Sequence, residues 1–330
     1  MKRFFKLMSL IFIFNFIECQ NFVTYTLSSG RLGDQLISYC HARWISYKYG
    51  FCFLYKPFPY SDKLLIHARD ISFNSISKQK LSYKILKAEQ QLNDFIKDND
   101  KNTIYVIPYF PESLEEYEPI DCPLTNESRK INQYPYFKIE WDNKEFKNII
   151  KSLIKSRYPI RLIKPNKNKI NIAVHVRRNS GGYDLPVFHD SKEPYNPKIK
   201  YMDILFPLKH PPIEYYFEQL QNLVNQFSDQ EVYVYVFTDD PNPLSIVNEF
   251  KKHIFHRNLI FDSRLSKNNH YSNVLEDLFS MIEFDYFIRP DSNMSIIASK
   301  IGNFKQVISP AHHRWQGTCL IIDKVNIEKN

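Results

Sequence analysis

Short apolar segments alternate with amphipathic segments through the second half of the chain, and this alternation limits the folds open to it. Continuous apolar runs occupy residues 170–176, 232–237 and 286–288. Patterns with apolar residues three and four positions apart separate them, as in helices. Strands that are apolar on both faces and are joined by helices form a parallel sheet covered on both sides. We therefore predict an α/β domain here. Its helices are predicted at 213–227, 241–252, 273–284 and 292–301, with further strands at 258–261 and 306–308.

The first half opens with the same arrangement. Residues 22–27 form a strand pattern, and a glycine-bearing loop follows, then a helical pattern that stops at Gly50. Residues 51–55 are strand-like again, so we predict a second α/β domain. Asp142 is placed to cap a helix over residues 142–157. We also predict a strand at 104–107, a helix at 89–97 and a linker at 164–169, which gives domains of 20–163 and 170–330.

The N-terminus has the pattern of a targeting segment. Three basic residues within the first six positions precede an apolar run at 7–17, which is about the length of a signal-peptide core and short for a membrane span. We predict a signal peptide over residues 1–19 and a secreted, periplasmic or secretory-pathway protein. Two alternatives stay open: residues 4–17 could hold the protein at a membrane as an uncleaved anchor, or the apolar run could be the first buried strand. The cysteines beyond it, Cys40, Cys52, Cys122 and Cys319, are interpreted as buried apolar residues, although an exported protein could pair them.

The formal charge of +8 raises the question of a nucleic-acid partner. The densest basic stretch, residues 147–169, places lysines at helical spacing and is better explained as a solvated helix face. No RNA-binding signature accompanies it, so we expect no nucleic-acid partner. The cysteine and histidine spacings match no metal-ligand pattern, and no metal site is predicted. A protein that binds anionic phosphates would also tolerate this charge.

Three polar clusters follow strands of the second domain. They are His175-Val176-Arg177-Arg178 with the Ser180-Gly181-Gly182 turn, Thr238-Asp239-Asp240, and Arg289-Pro290-Asp291-Ser292-Asn293-Met294-Ser295. Ligands of parallel α/β sheets collect at the carboxyl ends of the strands. A guanidinium fork at Arg177 or Arg178 matches the oxygens of a phosphate. The unpaired N–H groups of a helix that begins near Ser292 favour a second phosphate. With an aspartate available to a ribose or base, the clusters predict a pocket for a nucleoside diphosphate.

The same residues carry a resemblance to a known family. The segment 175–178 resembles the His-x-Arg-Arg motif of α1,2-, α1,6- and protein O-fucosyltransferases. Residues 30–35, Gly-Arg-Leu-Gly-Asp-Gln, resemble an N-terminal loop of the α1,2- and protein O-fucosyltransferases. Residues 237–240 and 291–295 resemble two further segments of that superfamily. The four matches run in the family's order from the first loop to the last third of the chain.

The resemblance implies a GT-B fold, in which two Rossmann-like domains with parallel sheets face a cleft. It implies metal-independent, inverting transfer of fucose from GDP-fucose to a hydroxyl of a glycan or glycoprotein, with no cofactor besides that donor. Arg177 would neutralise the β-phosphate of departing GDP. The donor-binding residues implied are His175, Arg178, Gly30, Arg31, Gly33, Gln35, Asp239, Asp240, Asp291, Ser292, Asn293 and Ser295. The first domain would form the acceptor side.

Two positions depart from the family pattern. Asp34 stands where the family usually has Asn, and a carboxylate at that place could be a catalytic base toward the acceptor. Ser180 stands where the family has an acid, and the nearest acid is Asp184. These departures keep two alternatives open. The chain could use another nucleotide-sugar, or it could be a catalytically inactive homologue that binds nucleotide or sugar.

Overall fold

The computed structural model of the 330-residue chain divides into two compact units, with the change between Pro159 and Ile160. It describes residues 21–28, 30–76, 80–86, 91, 93, 94, 102–109, 138–178, 207–265, 268, 269, 271–316 and 319–329. The predicted signal peptide, most of the predicted helix 89–97, the Ser180–Gly182 turn and Asp184 lie outside these residues. In the described part of the chain, no helix combines the length and the apolar character that a membrane crossing requires.

The first unit is built on a five-stranded sheet in the order β3-β2-β1-β5-β4, with every strand parallel to its neighbours. Its elements are β1 (Asn21–Tyr25), α1 (Leu32–Tyr49), β2 (Cys52–Tyr55), α2 (Ile66–Arg69), β3 (Ile71–Ser72), β4 (Ser82–Ile85), β5 (Thr103–Ile107) and α3 (Lys144–Leu153). The structure confirms the strands predicted near 22–27, 51–55 and 104–107. It adds β3 and β4, which the sequence pattern does not predict.

A ring cluster and a buried ion pair join α1 to the sheet of the first unit. The Tyr39 ring meets Tyr25 edge-on at 6.2 Å and Phe53 edge-on at 5.2 Å. The Asp70 carboxylate accepts a hydrogen bond from the Tyr39 hydroxyl at 2.7 Å and pairs with the Arg43 guanidinium at 2.9 Å. Only 2% of the Asp70 side chain is exposed. Burial raises the pKa of Asp70, and Arg43 opposes that rise. The pair therefore depends on both partners, because a lone buried charge is costly.

Helix α3 covers the far end of α1. The Trp44 ring packs edge-on against Phe146 at 4.9 Å between centroids. The helix begins after Asn143, whose side-chain oxygen accepts the Phe146 N–H at 3.0 Å. The prediction that Asp142 caps this helix is therefore wrong by one position, since Asn and Asp are equally good caps. The helix also ends earlier than predicted, at Leu153.

The second unit contains a six-stranded sheet in the order β11-β10-β9-β6-β7-β8. Its elements are β6 (Ile170–Val176), α4 (Ile213–Val224), β7 (Val232–Thr238), α5 (Pro243–His253), β8 (Leu259–Ser263), α6 (Val274–Met281), β9 (Tyr286–Ile288), α7 (Asn293–Ile301), β10 (Gln306–Gln316) and β11 (Cys319–Lys329). Five strands are parallel, as predicted. The last strand, β11, was not predicted, and it runs antiparallel to β10 at one edge of the sheet.

Strand β10 is much longer than β9, the strand beside it in the sheet. Its first three residues, Gln306 to Ile308, pair with β9. From Ser309 onward β10 pairs, among the described residues, with β11 alone, and the register shifts between Pro310 and His312. The two last strands therefore continue as a ribbon past the body of the sheet.

The core of the second unit lies between β6 and β7 on one side and helices α4 and α5 on the other. Val174 and Val234 from the strands, with Leu220 and Phe250 from the helices, are fully buried. Each such side chain contributes about 1.5–3 kcal/mol of burial free energy. This packing fixes the strand ends that carry the polar clusters.

The cysteines behave differently from one another. Cys40 is a buried free thiol, in agreement with its interpretation as an apolar residue. Cys319 is also a free thiol. Cys52 is disulfide-bonded, so its interpretation as a buried apolar residue is wrong.

Candidate functional site

The three polar clusters of the second unit meet at one edge of its sheet. Strand β6 lies between β9 and β7. Val176 is paired with Thr238, and Val174 with Ile288. The three strands therefore end side by side, and the residues that follow them emerge together. This edge is the carboxyl edge of the parallel strands, where ligands of such sheets bind.

His175 links the first cluster to the third. Its Nδ1 makes a hydrogen bond with the Ser295 hydroxyl in the first turn of α7. Both side chains are buried. The pKa of His175 is lowered to about 4: burial is the main cause, the Asp239 carboxylate opposes the fall, and the cationic Arg289 adds to it. The imidazole is therefore neutral at neutral pH. It joins β6 to α7 through its hydrogen bond to Ser295, and it supplies no positive charge to a phosphate.

The two arginines of the first cluster have different surroundings. The Arg178 guanidinium pairs with Glu249 of α5 at 3.1 Å, and the Arg178 backbone N–H donates to Asp239 Oδ1 at 2.8 Å. Arg178 is thus held by two protein carboxylates. Arg177 is 9% exposed and directly follows β6. The Arg178 fork therefore already has a carboxylate partner, and Arg177 lies buried at the end of β6, where an anionic ligand of the sheet would bind.

The two aspartates that follow β7, Asp239 and Asp240, make different hydrogen bonds. Asp239 is buried and holds the Arg178 backbone. Asp240 accepts the Asn242 N–H at 2.7 Å, immediately before α5 begins. Asp240 therefore closes the turn into the helix, as Asp side chains commonly do.

The third cluster forms the entry to α7. Arg289 is buried, donates to the Pro290 carbonyl at 3.1 Å and lies 3.6 Å from the Asp291 carboxylate. Ser292 is the N-cap residue, and its carbonyl accepts the Ile296 N–H. The Ser292 side chain makes no capping hydrogen bond to this helix, which starts at Asn293. The positive dipole end of α7 lies at the same sheet edge as Arg177.

A narrow cleft, without room for a water molecule in this structure, lies beside these clusters and was not predicted from the sequence. It is lined by Tyr235, Val236, Phe237, Thr238, Pro243, Arg264, Asn268 and Asp277. The Arg264 guanidinium contacts Asp277 Oδ1 at 2.5 and 3.1 Å and Glu276 at 3.2 Å. Burial raises the pKa of Asp277 to about 6, although Arg264 opposes the rise. One signal could have found this site: Arg264 follows a predicted strand, as the other clusters do.

The glycine-bearing loop of the first unit is held by two side chains of α1. The Gln35 amide donates to the carbonyls of Ser28 at 2.6 Å and Gly30 at 3.0 Å. Asp34 accepts the Arg31 backbone N–H at 2.9 Å and the Tyr109 hydroxyl at 2.7 Å. One carboxylate oxygen of Asp34 therefore closes the loop onto the helix N-terminus, and the other binds Tyr109, which follows β5.

Two glycines lie in this loop and the helix it enters. Gly33 is buried in the first turn of α1. A Cβ atom at Gly30 would lie closer than 3.0 Å to the Asp34 carboxyl group. The loop thus requires glycine at position 30 because of this close approach.

Comparison with known proteins gives a result at the level of structure only. No protein-family model and no curated protein matches the sequence. A mutant of Arabidopsis thaliana FUT1 in complex with GDP matches with a TM-score of 0.50 and 12% identity, over 88% of this chain and 70% of that one. The chain shares the fold of a plant fucosyltransferase. This match confirms the predicted α/β fold of GT-B type.

Two further solved structures match at lower scores. POFUT1 in complex with GDP-fucose gives a TM-score of 0.43 at 13% identity, over 86% of this chain and 96% of that one. The fucosyltransferase NodZ from Bradyrhizobium gives 0.45 at 10% identity, over 95% and 99%.

The structure thus brings together all the site residues predicted in the second unit, at one sheet edge. Those predicted in the first unit, at positions 30–35, form one loop at the N-terminus of α1. Among the described residues, no group of three or more His, Cys, Asp or Glu side chains is arranged to hold a metal ion.

Proposed function

We propose that this protein is a fucosyltransferase-like glycosyltransferase that moves fucose from GDP-fucose to a hydroxyl of a glycan or glycoprotein. One observation carries the proposal: the His-x-Arg-Arg segment ends β6 at the carboxyl edge of the sheet, in a chain with the fold of FUT1. FUT1 was solved with GDP, and POFUT1 with GDP-fucose. A site that combines a buried arginine with a helix N-terminus suits a diphosphate leaving group.

In the proposed reaction, the bond between the fucose anomeric carbon and the β-phosphate oxygen breaks. The acceptor oxygen bonds to that carbon from the opposite face, which inverts its configuration, and the hydroxyl proton leaves to a base. The negative charge that develops on GDP is balanced by Arg177 and by the N-terminus of α7. We propose that these groups replace the metal ion that other transferases use for the same charge. His175, being neutral, keeps α7 in place through Ser295.

We propose that the nucleoside binds against the residues of the narrow cleft beside β7, which must widen to admit a base. A guanine base carries two N–H donors on one edge, and a carboxylate is the acceptor that pairs with both. Asp277 lines the cleft, and Arg264 holds its carboxylate from one side. This arrangement supports GDP over nucleotides whose bases present an acceptor at that edge, because a carboxylate facing an acceptor is left unpaired.

Asp34 is better explained as a residue that holds the loop at 30–35 than as the catalytic base. A catalytic base must be free to take a proton from the acceptor. The Asp34 carboxylate accepts from Arg31 and Tyr109 instead. We therefore propose that Asp34 shapes the loop, and that the base is another group.

The cellular localisation that we propose is the one predicted from the sequence. We propose that the apolar run at 7–17 directs the chain into an export or secretory pathway, where glycan acceptors are found. N-terminal sequencing of the mature protein would test it; a mature chain that still begins at Met1 would exclude cleavage and leave an uncleaved anchor or a buried first strand.

Calorimetry of nucleotide binding tests the proposed function. The purified chain is titrated with GDP, UDP and ADP in the presence of a chelator. We expect micromolar binding of GDP and at least tenfold weaker binding of the other two. Arg177→Ala should weaken GDP binding by about 10- to 100-fold, since a hydrogen bond to a charged group contributes about 1.5–3 kcal/mol.

The matched control is Arg257→Ala, which removes an exposed arginine from a turn of the same unit. Equal losses in both variants, or no preference for GDP, would contradict the assignment. Preference for UDP or ADP would point to another nucleotide-sugar. GDP binding without release of GDP from GDP-fucose, across a panel of acceptors, would indicate an inactive homologue.

A further inference from the structure

A second polar surface lies on the first unit, away from the loop at 30–35 in sequence. The connection 56–70 leaves the carboxyl end of β2 and runs beside the residues that follow α3. Two backbone hydrogen bonds join them: Leu65 N–H donates to the Lys155 carbonyl at 2.8 Å, and Arg157 N–H donates to the Lys63 carbonyl at 2.8 Å. The positions of the two segments are therefore fixed relative to each other.

This surface is strongly cationic. Within residues 60–69 and 151–158 the single acidic residue is Asp62, which gives a formal charge of +4 with histidine neutral. The backbone carbonyl of Asp62 accepts a hydrogen bond from the Arg157 guanidinium at 2.9 Å. The cationic residues are Lys63, Arg69, Lys151, Lys155 and Arg157. A cluster of this charge attracts anionic partners.

Two tyrosine rings accompany the cations. The Lys63 ammonium lies 5.6 Å from the centre of the Tyr60 ring, and the Arg157 guanidinium lies 5.5 Å from that of Tyr158. Tyr158 is 57% exposed. An exposed ring beside a cation offers an apolar face together with a donor for carboxylate or sulfate oxygens.

The backbone at Tyr60 marks this surface as unusual. Tyr60 has φ of 70°, and Ser61 N–H bonds back to the Phe58 carbonyl at 3.0 Å. With Pro59 before it, Tyr60 occupies the turn position that normally requires glycine. Strained residues of this kind cluster at ligand sites. The strain therefore supports a function for the tyrosine itself.

The place of this surface in the fold agrees with a role in binding. It is formed by the connection that follows β2, and the loop at 30–35 follows β1, the neighbouring strand. Both leave the carboxyl ends of parallel strands, the edge at which such sheets bind ligands.

We propose that this surface binds an acidic saccharide, with a sugar ring against Tyr158 and its carboxylate or sulfate groups on Lys63 and Arg157. The interpretation of that saccharide as the acceptor rests on the proposed function. Each tyrosine ring of this surface has one cation beside it. This spacing suits a saccharide chain in which each sugar ring carries its own acidic group. Such a surface is the saccharide counterpart of the stacked and charged sites that bind single-stranded nucleic acids.

Calorimetry with defined oligosaccharides tests the proposal in the absence of donor. The probes are a heparin hexasaccharide, which carries sulfates, an oligogalacturonate, which carries only carboxylates, and a neutral chitin hexasaccharide. Binding of the first, the second or both supports the proposal and identifies the acidic group. Equal binding of the neutral probe, or no binding of either acidic probe, overturns it. Tighter binding of a single-stranded oligonucleotide than of both acidic saccharides also overturns it.

Variants locate the binding. Lys63→Gln combined with Arg157→Gln should weaken binding of the acidic probe at least tenfold, and Tyr158→Ala should weaken it several-fold. Lys251→Gln combined with Lys252→Gln removes the same charge from the last turn of α5 and should change it less than twofold. An equal loss in this control pair would mean that only net charge matters, which overturns the site.

GDP binding is measured on the same variants: if it persists while no acidic probe binds the wild type, this inference fails and the proposed function stands.

Discussion

Replacement of Asp277 by Asn should stabilise the protein at neutral pH and, at the same time, weaken its binding of GDP. The Asp277 side chain is 12% exposed, and burial raises its pKa to about 6 from an ordinary value of 3.8. The folded state therefore disfavours the ionised carboxylate, even with Arg264 beside it. Asn resembles the protonated acid in shape and does not titrate.

The magnitude follows from the two pKa values. A group whose pKa is raised on folding contributes stability below its unfolded pKa and loses that contribution as the pH rises through the folded pKa. Between pH 4 and about pH 7 the wild type should lose about 3 kcal/mol in this way, at about 1.4 kcal/mol per unit. The uncharged amide of the Asp277→Asn variant avoids this loss. For a unit of this size the difference at pH 7.5 amounts to about 6–12 °C in melting temperature.

The assay combines melting curves at several pH values with calorimetry of GDP binding. We expect the two proteins to melt at similar temperatures near pH 4 and to diverge above pH 6. An amide offers one acceptor and turns an N–H₂ donor toward the base, so GDP binding at pH 7.5 should weaken about tenfold or more.

Glu276→Gln is the control, because Glu276 pairs with the same arginine from a more exposed position. It should change stability by less than about 1 kcal/mol. A parallel pH dependence of wild type and Asp277→Asn would refute the argument about burial. Unchanged GDP affinity in Asp277→Asn would refute the assignment of the base to this cleft.

Three further predictions concern the first unit. Arg43→Ala leaves the Asp70 carboxylate buried without its cation, and should cost about 3–5 kcal/mol by urea unfolding; the double variant with Asp70→Asn should recover part of it. Gly30→Ala should displace the Asp34 carboxylate and cost about 1 kcal/mol of helix-cap stability, and an unchanged melting temperature would show that the loop has room. Asp34→Asn should retain most transferase activity, because an amide oxygen still accepts from Tyr109 or Arg31; a loss of a thousandfold or more would restore Asp34 as the base.

The part of the fold that the sequence predicted is the part whose pattern is set by burial. Strands β6, β7 and β9 are buried on both faces and appear as uninterrupted apolar runs. Strand β4 was missed because Tyr83 and Ile85 are exposed at the sheet edge, so the segment lacks any apolar run. Strand β11 was missed because it lies at the opposite edge and is largely exposed.

The candidate site was predictable to the same extent. The clusters after β6, β7 and β9 are contiguous in sequence, and contiguity made them visible. Arg264 and Asp277 are separated by a turn and the start of α6, so only the fold brings them together. The ion pair between Arg178 and Glu249 likewise forms only because α5 packs on the sheet. A sequence motif identifies which residues reach the strand ends, whereas tertiary contacts determine which of them remain available to a ligand.

The ribbon of β10 and β11 has a consequence for hydrogen exchange. Gln306 to Ile308 lie between two strands, whereas in the described part of the chain Ser309 to Gln316 have ladder partners only on β11. Local opening of the ribbon needs the loss of one ladder, but opening at its base needs the loss of two and the disruption of the sheet. One strand should therefore contain two classes of amide. Deuterium should enter the far part through local fluctuation, and it should enter the near part only when the whole unit unfolds.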